Sequence, residues 1–336
     1  MSLRLKWALV VVAAVVLLGG SAAYGVSAFL RLQEGGPAQV AVEPSPLEGL
    51  EPGRIVFRST AAGDGYGLVG AVPVDDPGGP RALADLACDR VDATAELLSC
   101  LHTRPGVVTG FEWRLYDATF GEVWGTPLPG LPSRTRVSDG TGLVASTTFV
   151  AGHSYAVAGF STATVIRGAD DTDHGNLEDF DFTVNGEPVT AADRNFWGVT
   201  FIPDTDGFYA TAASGGRIWL VRGDLGDRTL EAIRDDVECP SLSPDGTRIA
   251  YKKTVADTSE GRWAIAVLDL ASGEEVVLSE KRNVDDQVEW LDDERIVYGL
   301  PREGAEGDSD VWSVAADGAG EPELVIEHAW SPSVVR

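Results

Sequence analysis

Several short stretches carry residue types that could do chemistry. Gly152-His153-Ser154-Tyr155-Ala156 approaches the Gly-x-Ser-x-Gly nucleophile elbow, in which a strand, a sharp turn and a helix expose the serine hydroxyl. Alanine replaces the last glycine and the flanks have β character, so a strand or blade loop is expected rather than a catalytic serine. Gly65-Tyr66-Gly67-Leu68-Val69-Gly70 spells a dinucleotide fingerprint. That chemistry needs a following helix N-terminus to hold pyrophosphate, whereas Ala71-Val72-Pro73 follows; a hairpin loop is expected. Asp170-Asp171-Thr172-Asp173-His174-Gly175-Asn176 clusters oxygen ligands suited to Ca2+, but without the alternate-position spacing and terminal bidentate glutamate of a calcium loop. A solvated acidic loop is the expectation. His102, His153, His174 and His328 lie far apart and form no zinc-spaced pair. No catalytic set and no cofactor are therefore expected.

The bulk composition narrows the function classes. The 336 residues include 52 Asp or Glu against 26 Lys or Arg, a formal net charge of -26. Phosphate recognition needs a basic patch, so nucleic acid is excluded as a partner. Hydrophobic residues at 44% with 9 Trp and 7 Tyr give enough apolar material for a large core.

Residues 7–30 form a run without a charge, preceded by Arg4 and Lys6 and followed by Arg31. About 20 helical residues cross a hydrocarbon layer of roughly 30 Å, so the run is long enough to span. The reading is a cytoplasmic tip and signal-anchor helix over residues 1–31, with Arg4 and Lys6 holding the N-terminus inside. The alternative is a signal peptide cleaved near Ser21-Ala22-Ala23, which would release the rest. Residues 32–52, rich in Gly, Pro and Glu, read as a flexible stalk. Either way the remainder works outside the membrane. Cys88 and Cys100 suit that oxidising compartment: a turn near Ala93 would bring them together across a hairpin as a disulfide. Cys239, beside Pro240 at the start of an apolar strand, reads as a buried thiol.

From Arg54 onward, apolar or alternating runs of four to eight residues are separated by Gly, Pro and Asp clusters, with no sustained helical period. That is the pattern of an all-β protein. The clearest unit is Ser241-Leu242-Ser243-Pro244-Asp245-Gly246-Thr247-Arg248-Ile249-Ala250-Tyr251, whose Pro-Asp-Gly sets a tight turn. Weaker copies centre on Asp139, Asp204 and Asp292, giving intervals of 65, 41 and 47 residues. A period of about 40 to 50 residues indicates four-stranded propeller blades. Blades are expected near residues 53–84, 88–128, 134–184, 195–233, 239–278 and 285–326. The last residues, Ala329-Trp330-Ser331-Pro332-Ser333, restart the unit and would supply the innermost strand of the first blade.

The Ser-Pro-Asp-Gly-Thr unit, followed by Val267-Leu268-Asp269-Leu270-Ala271-Ser272-Gly273-Glu274, resembles the repeat of TolB-like six-bladed β-propellers. The later Asp285-Asp286-Gln287-Val288-Glu289-Trp290 and the apolar N-terminus are similar to the exported TolB-like proteins of actinobacteria. The resemblance implies an envelope protein that binds other proteins. It departs from the TolB pattern in that no separate α/β domain is read ahead of the propeller.

In a propeller the loops entering the innermost strands surround one mouth of the central channel, the default partner site. Here those loops hold Asn195, Trp197, Glu238, Asp285, Asp286, Gln287 and His328. Aromatic and acidic groups together could meet a basic or extended peptide; packing of Phe196 and Trp197 between blades is the competing reading. The sequence thus points to a non-catalytic scaffold of the envelope that docks other proteins. The alternatives are a propeller hydrolase or lactonase with channel-bound Ca2+, and an envelope-glycan binder.

Overall fold

The computed structural model describes residues 45–150, 161–256 and 262–336. The apolar run at 7–30 and the Gly152–Ala156 stretch lie outside the described residues. Among the described residues no helix is long and apolar enough to cross a membrane.

Six sheets, each built on four antiparallel strands, form the six blades of an all-β propeller. Blade 2, for example, runs from Arg90–Ala93 through Leu97–Arg104 and Gly110–Asp117 to Glu122–Pro127. The innermost strands of blades 2 to 6 are Arg90–Ala93, Leu131–Val137, Asn195–Phe201, Glu238–Leu242 and Glu289–Trp290. Blade 1 takes its innermost strand from the other end of the chain: Ala329–Val335 pairs antiparallel with Arg54–Ser59, with Val56 opposite Ser333. Pairing the two ends leaves no free inner edge where the ring would open.

Each blade twists, so its two faces can be covered only by neighbouring blades, and the core lies between blades. Between blades 3 and 4, Ile166, Phe180, Phe182, Phe196, Phe208 and Trp219 pack together. Phe182 meets Phe196 and Trp219 edge-to-face, with ring centroids 5.5 and 5.8 Å apart. Phe196 is therefore a packing residue. Two of the aspartates that marked the repeat, Asp245 and Asp292, shape the turn out of the innermost strand. Asp245 accepts from Ser243 Oγ, Thr247 Oγ1 and the Thr247 N–H, and Gly246 supplies the positive φ. The Ser243 and Thr247 bonds favour its charged form, so its pKa falls to about 2. Asp292 accepts in the same way from Glu294 N and Arg295 N.

Two segments depart from the expected boundaries. Asp181–Val184, expected to close blade 3, pairs in parallel with Thr229–Asp235 and so extends blade 4. Phe182 is buried in the blade 3–blade 4 core beside Phe196 and Trp219, and this holds the segment against the outer edge of blade 4. Residues 45–50 were expected within the stalk. Ser45–Pro46 instead pairs in parallel with blade 1 at Ala82 and Leu83, and Leu47 and Leu50 are buried. Two leucines in an otherwise polar stretch supply the apolar area that docks it.

Cys88 and Cys100 form a disulfide with Cα atoms 5.4 Å apart, and Cys239 is a buried free thiol. Within the blade 2 hairpin, Cys100 faces Val91 rather than Cys88. The bridge ties the chain just ahead of that hairpin to its second strand. With a sequence separation of 12 residues, replacing both cysteines by alanine is expected to lower stability by about 3 kcal/mol. Denaturant unfolding of the double variant beside the oxidised parent measures this. A difference below about 1 kcal/mol would remove the bridge from the list of structural supports.

Candidate functional site

The channel is closed by charge. Cations on the innermost or adjoining strands of blades 2, 3 and 5 meet carboxylates carried mainly by the segment that leads into blade 6. Arg90 pairs with Asp286. Arg134 reaches Asp285 across the ring at 3.4 Å, and Lys252 reaches the same carboxylate at 2.8 Å. Arg136 lies between Asp92 and Glu289. Gln287 Nε2 donates to the Thr135 carbonyl, a further tie between blades 6 and 3. The last residue completes the set: Arg336 pairs with Glu289 and donates to the Trp290 carbonyl.

Burial opposes the charge on Arg136, and Asp92 and Glu289 outweigh it, so the guanidinium is held above its ordinary range. Partial desolvation at the channel mouth opposes the Asp285 charge, and Lys252 with Arg134 and Arg90 outweighs it, holding that carboxyl below its usual value. Asp92 goes the other way. Burial is the largest cause, Glu289 adds repulsion, Arg136 only partly compensates, and the pKa rises to about 7. A single guanidinium between two carboxylates cannot satisfy both, and Glu289 has Arg336 besides.

The sign of the resulting pH effect follows. Between roughly pH 4 and 7 the folded state holds a proton on Asp92 that the unfolded chain has lost, so stability falls as pH rises through that window. Asp92→Asn keeps the acceptor for the Val137 N–H and cannot ionise. The variant is expected to gain stability relative to the parent progressively from about pH 4 to pH 7 and to level off above that. Thermal midpoints of both proteins at four pH values check this, and a difference that stays constant across them would count against it.

Above the charged layer two adjoining cavities open at the mouth. One, of about 630 Å³, lies between blades 4 and 5 and is lined by Asp193, Asn195, Trp197, Glu238, Trp263 and neighbours. The other, of about 270 Å³, faces the channel and is lined by Arg134, Trp197, Glu238, Cys239, Trp263 and Asp285 among others. Trp197, Glu238 and Trp263 border both. The chain can bend there because Gly198 adopts φ +66°, where its missing Cβ would stand 2.7 Å from the Cys239 Cα.

The sequence-derived mouth residues separate into three groups. Asn195, Trp197, Glu238 and Asp285 line the cavities. Asn195 also fastens blade 4 to blade 3, accepting from the Thr162 N–H and Oγ1. Asp286 is fully buried against Arg90 and the Gly299 N–H, and Gln287 is committed to Thr135. His328 stands apart between blades 6 and 1, its Nδ1 2.7 Å from Asp308 Oδ2 while Arg81 donates to its carbonyl. Sequence reasoning missed Arg90, Arg134, Arg136, Lys252 and Trp263. The signal was present as Arg90-Val91-Asp92 and Arg134-Thr135-Arg136, charges of either sign at alternate positions inside strands expected to be innermost.

In the acidic stretch, Asp170, Asp173 and Asn176 each accept from a backbone N–H two residues on, and Asp171 pairs with Arg167. Among the described residues no group of three or more His, Cys, Asp or Glu side chains is arranged to hold a metal ion.

No protein-family model and no curated protein matches this sequence. Solved structures do. TolB from Acinetobacter baumannii is similar at a TM-score of 0.59 and 18% identity, over 84% of this chain and 66% of that one. This chain therefore spans just under two thirds of the TolB chain. A chain of a nidogen/laminin complex is similar at a TM-score of 0.53 and 9% identity, over 83% of this chain and 97% of that one. The periplasmic gluconolactonase of Pseudomonas aeruginosa follows at 0.47 and 10%, over 83% and 98%. At these identities the likeness is one of fold: a TolB-like six-bladed β-propeller.

Proposed function

We propose that this chain is a non-catalytic binding module of the cell envelope, anchored by residues 7–30, that docks a segment of another envelope protein at the mouth of its channel. One observation carries the reading. The charged groups of the channel are consumed by one another, while a cleft of about 630 Å³ remains open beside them, bordered by Trp197 and Trp263. Reactive chemistry needs a nucleophile, a base and an orienting group converging on one point, whereas recognition needs shape, apolar wall and a few oriented polar groups such as Glu238. The Cys88–Cys100 disulfide and the long apolar run support placement outside the membrane. The resemblance to exported TolB-like proteins points the same way.

Photo-crosslinking in living cells tests it. A photoreactive residue replaces Thr254, which is exposed and borders the cleft, with Asp227 on an exposed outer connection as the control. The expected result is one protein adduct from position 254, absent from position 227 and lost on Trp263→Ala. Identical adducts from both positions, or none from 254, would overturn the docking role.

A further inference from the structure

The cleft between blades 4 and 5 has two indole walls, Trp197 and Trp263, and is lined by carboxylates (Asp193, Glu238) as well as guanidinium groups (Arg217, Arg262). Glu238 is 8% exposed and lines both cavities. Its Oε1 accepts from the Trp263 indole N–H at 3.1 Å, and among the described residues its carboxylate has no other side-chain partner and no cation within 4 Å. Asp193, which also lines the cleft, accepts among the described residues from Ser214 Oγ and the Gly215 N–H. Each cation of the cleft has a partner other than Glu238; Arg262 donates to the Glu280 carbonyl. Lys252 pairs with Asp285 and lies 4.1 Å from the Trp263 ring centroid, and Arg217 pairs with Asp235 while stacking on Trp219. A carboxylate with one neutral side-chain donor keeps lone pairs free to accept from an incoming donor.

Resting on the docking role proposed above, we infer that the cleft bordered by Trp197, Trp263 and Glu238 receives an arginine or lysine side chain from an extended segment of the partner. The alkyl stem lies along the indole walls and the cationic head reaches Glu238, with Asp193 as a second carboxylate further along the cleft. Aromatic walls favour a cation over a neutral group of equal size, and burial strengthens the ion pair once both members are present. The formal net charge of -26 draws a basic segment toward the protein and repels an acidic one. Continuity of the cleft with the smaller cavity at the channel leaves room for residues flanking the inserted one, which is why a chain segment is the occupant and not a free amine.

The test uses the full-length chain labelled with 5-fluorotryptophan, with the resonances of residues 197, 263 and 290 assigned by single Trp→Phe substitutions. It is titrated with the acetylated pentapeptide Ala-Ala-Arg-Ala-Ala amide, its lysine form, its neutral citrulline form, and arginine amide alone. The expected result is a shift of the 197 and 263 signals with the 290 signal still. The arginine and lysine peptides should bind at least tenfold more tightly than the citrulline peptide. Glu238→Gln should abolish that preference while the 290 signal confirms an intact fold. Equal binding of the citrulline and arginine peptides, or a preference that survives Glu238→Gln, would overturn the cation site. Arginine amide binding as tightly as the pentapeptide would overturn the peptide occupant and leave a small-cation site in its place. Loss of the position 254 adduct with the preference intact would remove the docking partner and not the cation site.

Discussion

Replacing Arg136 with alanine is expected to lower the stability of the propeller by about 3–5 kcal/mol, the range for removing one partner of a buried ionic group. The guanidinium stands between Asp92 and Glu289, donates also to the Val288 carbonyl, and is flanked by Ser241 of blade 5. Without it, Glu289 keeps one cation, Arg336, and Asp92 keeps none and stays in the channel only by holding its proton. The loss is one of pairing and not of packing, and a second variant separates the two. Arg136→Met with Asp92→Asn and Glu289→Gln removes the stranded charges together with their partner, and should recover more than half of the deficit. Urea unfolding of the parent, the single variant and the triple variant reads both quantities. A single variant within about 1 kcal/mol of the parent would mean that water enters the channel freely and that the network does not hold the blades together.

Trp290→Ala should have an effect of similar size for a different reason. Blade 6 has the shortest innermost strand of the ring, Glu289–Trp290, so little backbone pairing holds it in place. The indole does the anchoring. It is fully buried among Ala250, Ile265, Val288 and Tyr298, and its N–H donates to the Ser241 carbonyl of blade 5 at 2.8 Å. Arg248 of blade 5 stacks on its ring at 5.2 Å. Truncation leaves a cavity between blades 5 and 6 and a buried carbonyl without its donor, together about 3–5 kcal/mol. Trp290→Phe, which keeps most of the volume and loses the donor, should fall by roughly 1–3 kcal/mol. Equal losses for the two variants would assign the effect to the hydrogen bond rather than to the cavity. Thermal midpoints provide an independent reading, at roughly 2–4 °C per kcal/mol for domains of 150–250 residues.

The two variants also bear on the mouth. Asp285 takes its position from the same short segment that Trp290 anchors, and Lys252, its partner, covers the Trp263 ring. A ring loosened at blade 6 would release Lys252 from Asp285 and alter the cleft wall. Stability and binding are therefore to be measured on the same preparations.

How far the sequence reached can be judged from particular residues. The alternating strands and the Asp139, Asp204, Asp245 and Asp292 turns sufficed for an all-β propeller of six blades, and Ala329-Trp330-Ser331-Pro332-Ser333 for its closure by the C-terminal strand. Cys88 and Cys100 were legible as a bridge because both belong to one hairpin neighbourhood. All of these are local signals: a turn needs four consecutive residues, a strand needs a period of two, and a blade needs its own four strands. The mouth residues were named from their place ahead of an innermost strand, yet Asp285 and Asp286, adjacent in sequence, have opposite fates. Asp285 stays exposed at the mouth and Asp286 is sealed beneath it by Arg90 and the Gly299 N–H.

That choice belongs to the tertiary structure. Arg134 and Asp285 are 151 residues apart, Arg136 and Glu289 153, and only closure of the ring sets blade 3 opposite blade 6 so that they meet. No local pattern encodes the distance across a channel. The transfer of Asp181–Val184 from blade 3 to blade 4, the docking of residues 45–50 on blade 1, and the pairing of Trp263 with Trp197 around Glu238 have the same origin. Local periodicity fixes which face of each strand is apolar. Packing between blades then decides which polar side chains are left facing one another, and so where the protein can bind.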